Sequence, residues 1–455
     1  MLEKERISFG SKIGVIAAAA GSAVGLGNIW RFPYELGQYG GGAFLVIYLL
    51  CVVLLGMPVM MSEFVIGRMG QANTAGSFRK LAPGKKWWLV GLMGVITSFL
   101  ILGFYVVVAG WTLEYIVQAV GNQFSAKDTA TLSQVFTDFS TDTTRPLLWM
   151  ALFTLFTASI VYLGVKDGIE KSSKFMMPML FLIIIALGIR AVTLPGGIDG
   201  LRFLFQPDFT KINSSVILSA MGQAFFSLSL GMGCMITYGS YISKKNNLQH
   251  TVVEVTILDT LVAVLASVAI FPAVFSLGIN PAQGPELVFI TLPNVFAHMP
   301  GGYVWAILFF ILLAVAALTS TISLLEVIVA YLVEEFGFRR HRVIVYVSLG
   351  IIFLGVLSSL SLGVWSDVKI FGMGFFNLFD NVTSKVLMPL GGLLISVFVG
   401  WKLDNKEIIN EMSNAGTLKV GYFKLYLFLV RYLAPVAIIL IIINQLGLGK
   451  LLGFE

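Results

Sequence analysis

The sequence predicts an all-α integral membrane protein of eleven transmembrane helices, the first and sixth of them broken. Three observations carry that expectation. Of 455 residues, 57% are hydrophobic and only 12% are charged, whereas a soluble domain of this length carries roughly a quarter charged residues. Apolar stretches long enough to cross a bilayer core, which takes about 20 residues, recur along the whole chain. Paired glycines interrupt the first and sixth of these stretches at matching points.

Taken in order, the expected spans are 13–37, 41–68, 88–120, 147–164, 168–190, 214–241, 252–277, 303–335, 343–363, 374–401 and 423–446. The connections between them alternate in charge. Lys4, Arg6 and Lys12 precede the first span; Arg68, Arg79, Lys80, Lys85 and Lys86 follow the second. Later members of the same set hold Lys166, Lys171 and Lys174, then Lys244 and Lys245, then Arg339, Arg340 and Arg342, and finally Lys402, Lys406, Lys419 and Lys424. The intervening loops are poorer, and the 278–302 connection has no lysine or arginine. This positive-inside pattern predicts a cytoplasmic N-terminus and an external C-terminus. It also accounts for the net charge of +6 without a nucleic-acid partner. Cys51 and Cys234 both lie in apolar segments and imply no disulfide framework. His250, His298 and His341 are scattered, without metal-ligand spacing.

The first span has the charged lead and small residues of a signal peptide. It runs on, however, into Gly25-Leu26-Gly27-Asn28-Ile29-Trp30-Arg31-Phe32-Pro33-Tyr34, which is too specific for a disposable leader. Within it stands Ala23-Val24-Gly25-Leu26-Gly27, and the sixth span holds Ser229-Leu230-Gly231-Met232-Gly233. Both read small, aliphatic, Gly, long apolar, Gly. Glycine inside a helix costs about 1 kcal/mol against alanine, so paired glycines favour unwinding. The plainer alternative is close helix packing. Unwound backbone at membrane depth survives only where protein or a wet cavity satisfies it. There its carbonyls can hold a cation, and half-helix N-termini an anion. Gly-interrupted spans at corresponding places in two halves point to the substrate site of an inverted-repeat transporter.

Polar residues inside the spans add candidates. Asp259 sits mid-span, where a carboxylate costs at least ~2.5 kcal/mol and is a functional candidate by default. It binds a cation, carries a proton or makes a structural hydrogen bond. The eighth span carries Thr319, Ser320 and Thr321, whose hydroxyls are either hard-cation ligands or interhelical glue. Arg31 and Asp380 should both face the outer vestibule, closing over a ligand or forming a plain ion pair. Glu63 and Glu326 are assigned structural roles. Gly168 and Pro178 flank the start of the fifth span and predict that its inner end unwinds and admits water.

With Gly25–Tyr34 as quoted, then Gly40-Gly41-Gly42-Ala43-Phe44, Gln223-Ala224-Phe225-Phe226-Ser227-Leu228-Ser229-Leu230-Gly231 and Leu318-Thr319-Ser320, the chain resembles the neurotransmitter:sodium symporters over essentially its whole length. It is most similar to the eleven-helix prokaryotic branch, which includes the tyrosine and multi-hydrophobic-amino-acid transporters. That family is itself a type case for broken-helix binding sites, so the glycine argument and the resemblance are not independent. The resemblance implies the LeuT-type fold: a tail over 1–12, two inverted five-helix repeats over 13–190 and 214–401, and an eleventh helix with an external C-terminus over 423–455.

It further implies two sodium ions and no organic cofactor. The first ion would be held by Ala23, Asn28, Ser227, Asp259 and the substrate carboxylate, the second by Gly21, Val24, Ala316, Thr319 and Ser320. The substrate carboxylate would meet the Leu26 and Gly27 amides and the Tyr105 hydroxyl. The amino group would meet the carbonyls of Ala23 and Phe226 and the Ser229 side chain. Ile101, Phe226, Met232, Ser320 and Leu324 would wall the side-chain pocket. Tyr105 and Phe226 form the implied lid, with Arg31 and Asp380 above it, while Arg6 and Glu334, near Tyr241, would close the inner side. Gly25 stands where amine-transporting relatives place an aspartate, which argues for a whole amino acid as substrate. Met232 replaces a phenylalanine of the leucine-transporting relative, and its flexibility suits both aliphatic and aromatic side chains. Asp259 replaces an asparagine, and Ala263 replaces an acidic or hydroxyl residue linked to chloride, so transport is expected to be chloride-independent.

The expected function is therefore sodium-coupled import of a hydrophobic or aromatic L-amino acid across a bacterial plasma membrane, with no obligate protein partner. A proton-coupled carrier using Asp259 and a non-transporting receptor or channel are the alternatives. The paired candidate gates speak against a simple pore. No nucleophile–base or metal constellation points to an enzyme.

Overall fold

The computed structural model describes residues 8–125, 127–278 and 288–447. Among them the regular structure is helical apart from one isolated bridge between Ile370 and Met373. Among the described residues nine helices are long and apolar enough to cross a membrane, or ten when one bent pair is counted as a span. In chain order, the bent pair is α1 (Lys12–Ala23) and α2 (Gly27–Gln38), inclined at 52°. Then come α3 (Gly42–Gly70), α4 (Trp88–Val120), α5 (Arg145–Tyr162) and α6 (Val165–Val192). The sixth expected span appears as two pieces, α7 (Ser214–Ser227) and α8 (Cys234–Ser240), each too short to cross by itself. After it follow α9 (Leu248–Ser276), α10 (Gly302–Phe336), α11 (Arg340–Leu360), α12 (Phe375–Lys402) and α13 (Phe423–Gln445).

Local sequence sets these ends. The Ser11 hydroxyl caps α1 by accepting from the Gly14 N–H at 3.0 Å, and Asn213 and Asn247 cap α7 and α9 in the same way. Ahead of α5, Asp142 accepts from the Thr144 and Arg145 N–H groups, each at 2.7 Å. Those bonds, Arg145's first, hold its carboxyl below the usual carboxylate range. Ala17–Ala20 give α1 a thin, helix-favouring surface, and α6, α9 and α10 pack around it. The long helices α4 and α10 lie against each other as the core of the bundle. Helices α5, α6, α11 and α13 are buried over a minority of their apolar length. Their outward faces, with Phe175, Leu182, Ile189 and Phe353 exposed, present hydrocarbon where a soluble protein presents charge. The chain is a multi-pass membrane protein.

At two places the structure differs from what the sequence suggests. The inner end of the fifth span is wound: Val165–Glu170 form a π-helical turn after Gly164, and an α-helix continues from Lys171 through Pro178. Its packing explains this. Glu170 accepts from the Gly10 N–H at 2.6 Å, the Ser11 hydroxyl at 3.0 Å and the Lys174 ammonium at 2.6 Å, while Gly168 lies against the Ile160 carbonyl. The other place is the sixth span. Length and hydropathy give nine or ten of the expected eleven, because the sixth is cut by its own break.

Candidate functional site

The two breaks face each other in the middle of the bundle. Helix α1 ends where Val24 turns extended (φ −69°, ψ 115°), and the chain resumes helical geometry at Leu26. Helix α7 ends at Ser227, and the backbone to Cys234 passes through positive φ at Ser229, Gly231 and Gly233. Gly231 is required there: at φ +79°, a Cβ would also stand 2.1 Å from the Met388 carbonyl oxygen. The Glu63 carboxylate accepts from the Gly231 N–H at 2.7 Å and supports the break from α3. At Gly25, a Cβ would lie 2.4 Å from Ser320 Oγ and 3.0 Å from the Tyr105 hydroxyl. The position where amine carriers are expected to hold an aspartate thus has no room for one without movement of Ser320.

Three of the sequence candidates meet in one buried cluster. The Asn28 amide nitrogen donates to Asp259 Oδ1 at 2.7 Å, to the Asp259 carbonyl at 3.1 Å and to Ser227 Oγ at 3.1 Å. Its amide oxygen accepts from the Gly25 N–H at 3.0 Å. Ser227 donates to Asp259 Oδ2 at 2.8 Å, and Tyr48 donates to Ser227 at 3.3 Å. Ala23 lies beside the break on the pocket side. The cluster therefore gathers a carboxylate, a hydroxyl and an amide beside the break, an oxygen-rich set suited to a small hard cation.

A second oxygen cluster lies between α1 and α10. Thr319 donates to the carbonyls of Val24 (3.2 Å) and Ala316 (2.9 Å), and Ser320 to the same two, both at 3.3 Å. Gly21 packs against Thr319, where a Cβ would sit 3.4 Å from the Thr319 side chain. All five residues named for a second cation are thus adjacent.

Between the clusters is a pocket of ≈ 40 Å³. Ala23, Gly27, Ile101, Tyr105, Phe226, Ser229, Met232, Ser320 and Leu324, all expected there, line it. Ser22, Gly25 and Ser323 also line it and were not singled out as lining residues. Ser22 and Ser323 look like ordinary helix serines in the sequence; the only available signal was their spacing from Gly25 and Ser320. Two other candidate residues are outside this lining: Ser227 belongs to the Asp259 cluster, and Leu26 lines the vestibule. The Leu26 N–H does point at the site, donating to the Tyr105 hydroxyl at 3.1 Å.

Tyr105 and Phe226 line both this pocket and a larger vestibule of ≈ 440 Å³, so they form its partition. Arg31 and Asp380 both line the vestibule, but the expected direct pair is absent among the described ion pairs. Arg31 instead sits 3.6 Å from Glu35 and lies over the Phe226 ring, 4.5 Å from its centroid. One helical turn separates Arg31 from Glu35, which makes that pairing local.

At the opposite end, Arg6 lies outside the described residues. Glu334 accepts from the Asn73 N–H at 2.6 Å. Tyr241 donates to the buried Glu326 at 2.8 Å, and Arg340 also donates to Glu326. The Tyr241 carbonyl accepts from the Phe9 N–H at 3.1 Å, and Phe9 packs edge-on against Tyr238 and Tyr241. The segment entering α1 is therefore seated on the end of α8.

Comparisons with known proteins point to one family. The chain is 41% identical over 448 residues to an uncharacterized sodium-dependent transporter of Bacillus subtilis, covering 98% of this chain and 99% of that one. A sodium-dependent transporter of Methanocaldococcus jannaschii is 31% identical over 440 residues, covering 93% and 87%. The crystal structure of MhsT in complex with L-phenylalanine superimposes with a TM-score of 0.89 at 45% identity, covering 97% of this chain and 100% of that chain. That neighbour has the LeuT-type fold. The family model of the sodium:neurotransmitter symporters matches residues 6–135 and 136–450. Its members are sodium-coupled transporters rather than enzymes. The chain belongs to the sodium:neurotransmitter symporter family.

Proposed function

We propose that this protein imports a hydrophobic or aromatic L-amino acid together with two sodium ions by alternating access, independently of chloride. The observation that carries the reading is the meeting of both helix breaks around an apolar-walled pocket flanked by two oxygen clusters. The Asp259–Asn28–Ser227 cluster would take the first ion, completed by the substrate carboxylate. The Val24–Ala316–Thr319–Ser320 cluster would take the second. The L-phenylalanine in MhsT and the apolar walls formed by Ile101, Met232 and Leu324 support a hydrophobic side chain. Seating a ring in ≈ 40 Å³ requires Met232 and Phe226 to shift, and an unbranched methionine does so readily.

The reading continues to eleven spans in two inverted repeats, 13–190 and 214–401, with α13 as the extra helix. The N-terminus is cytoplasmic and the membrane is a bacterial plasma membrane. The vestibule is the outer entrance, with Arg31 and Asp380 drawing together over Tyr105 and Phe226 as the site closes. The inner exit opens where Phe9, Tyr241 and Glu334 meet, with loosening of α6 around Gly168 and Pro178. Each inward sodium contributes about 2.3 kcal/mol per 100 mV of inside-negative potential. Two therefore support roughly a thousandfold accumulation of a net-neutral substrate before any concentration gradient.

The test is uptake of labelled tryptophan, leucine and tyrosine into proteoliposomes at fixed pH, with and without an inward sodium gradient. Concentrative, sodium-dependent uptake of at least one is expected. Uptake that follows a proton gradient and ignores sodium would make Asp259 a proton carrier and remove both sodium sites. Loss of uptake on replacing chloride with gluconate would refute chloride independence.

A further inference from the structure

At the end of the bundle that carries Glu334, two stretches far apart in the sequence are packed together by their rings. The Phe398 ring, on the last turn of α12, lies 4.8 Å from that of Phe78 and 5.0 Å from that of Trp87, centroid to centroid. The surface around this contact is basic and aromatic. Lys85 and Lys86 are exposed in the turn that enters α4, and the half-buried Trp87 and Trp88 follow them. On the α12 side Trp401 is exposed and packs edge-on against Tyr432, and the exposed Lys402 comes next.

The charges here are unevenly matched. Arg79 donates to Glu335 at 2.5 Å and lies over the Trp88 ring, 5.7 Å from its centroid, so its charge is balanced. Lys85, Lys86 and Lys402 make no ion pair among the described residues. Asp404, two residues after Lys402, accepts from the Lys406 N–H at 2.9 Å and caps the next helix. Lys85 and Lys86 do not stabilise α4, because ammonium groups oppose the positive end of a helix dipole. Their loop is nevertheless held in shape. The Lys85 N–H donates to the Ala82 carbonyl at 3.2 Å, and the Leu89 N–H donates to the Lys86 carbonyl at 3.0 Å. Leu89 and Ile96, both exposed, begin the outward apolar face of α4. The two lysines stand about one turn before it, at the level where acyl chains give way to headgroups. An occupant that suits all three parts has hydrocarbon beside Leu89, an interfacial region beside the tryptophans and an anion beside the lysines.

We infer that Lys85, Lys86 and Lys402, flanked by Trp87 and Trp401, form a binding site for the headgroup of an anionic phospholipid that bridges the start of α4 and the end of α12. Every phospholipid offers a phosphodiester. A zwitterionic headgroup adds a cation that the lysines repel, whereas phosphatidylglycerol adds none, so the site discriminates by net charge. Orienting the chain in the membrane requires only enough basic residues on one side. It does not require that they converge from two segments onto a pair of tryptophans.

The experiment titrates the purified full-length protein in detergent with phosphatidylglycerol or phosphatidylcholine of matched acyl chains and counts bound lipids by native mass spectrometry. Each lysine beside an anionic headgroup is worth about fivefold in affinity at most. The first phosphatidylglycerol is expected to bind about tenfold more tightly than the first phosphatidylcholine. That preference should fall to about twofold in Lys85→Gln/Lys86→Gln and to about threefold in Lys402→Gln. It should persist in Lys244→Gln/Lys245→Gln, which removes the same charge from another exposed loop. Preferences measured within one preparation do not depend on how much of it is folded, and Lys402→Gln tests the site if the double variant fails to fold. A native preference below threefold would overturn the inference. So would an equal loss in the Lys244/Lys245 variant, which would mean diffuse attraction to basic loops. Displacement of the lipid by inorganic phosphate at tenfold excess would overturn the lipid assignment and leave a plain anion site.

Discussion

Replacing Asp259 with asparagine tests the proposed first sodium site at its only charged side chain. The substitution preserves shape and leaves one oxygen to accept from Asn28 (2.7 Å); the amide nitrogen then faces Ser227, whose hydroxyl has to turn from donor to acceptor, so a unit charge is removed and one hydrogen bond is reversed. A carboxylate touching an ion about 2.5 Å away is attracted by ~7 kcal/mol at an effective dielectric of 20. Desolvation of a fully buried pair offsets most of that. The net value of a charge-assisted interaction is about 1.5–3 kcal/mol. Asp259→Asn should therefore raise the sodium concentration at half-saturation by roughly 10- to 150-fold. The assay is a sodium titration of labelled-substrate binding at constant ionic strength, with choline as the replacement cation. If the missing negative charge is what makes chloride dispensable, added chloride should recover part of the loss. A half-saturation within threefold of native would show that Asp259 does not face the ion, and the first site would have to be redrawn.

Other expected outcomes follow from particular contacts. Thr319→Ala removes a hydroxyl from the second cluster but not from the first. It should raise sodium half-saturation by about 5- to 10-fold and lower the steepness of the sodium curve, with the substrate preference order unchanged. Arg68 is 1% exposed and donates to Glu411, to the Asn246 carbonyl at 2.6 Å and to Asn414 at 2.9 Å. Arg68→Ala leaves Glu411 facing no countercharge and should cost about 3–5 kcal/mol, read as an earlier unfolding transition of the purified protein. Gly231→Ala combines positive φ with a Cβ 2.1 Å from the Met388 carbonyl, so it should cost more than about 1 kcal/mol and weaken substrate binding. Yield and binding of that variant would check the claim, and native values for both would contradict it.

Much of this architecture is legible in the sequence because the membrane leaves the chain few choices. Without water, backbone groups must bond within helices, so apolar length and basic punctuation nearly define the spans. The two breaks were legible for the same reason, since Gly25–Gly27 and Gly231–Gly233 stand out in segments that should be uninterrupted. What the sequence hid depends on side-chain direction and on neighbours distant in the chain. Leu26 presents its amide to Tyr105 and also lines the vestibule, two facts that no spacing rule separates. Arg31 takes Glu35, one turn away, where an outer partner at Asp380 was expected. The fifth span carries helix-weakening residues and is nevertheless wound, because Glu170 is held by three donors from two segments.

The Asn28 amide has a consequence for how measurements at this site will combine. One side-chain group bonds the break of the first span through Gly25, the end of α7 through Ser227 and the middle of α9 through Asp259. Loss of any one partner changes the pairing available to the others, so energies at Asn28, Ser227 and Asp259 cannot be added. Double substitutions among the three should cost less than the sum of the single ones, with coupling of about 0.5–3 kcal/mol. An ion bound by this set would be felt at once by three stretches of chain far apart in the sequence, which is what allows a small, spherical ligand to act on several helices together.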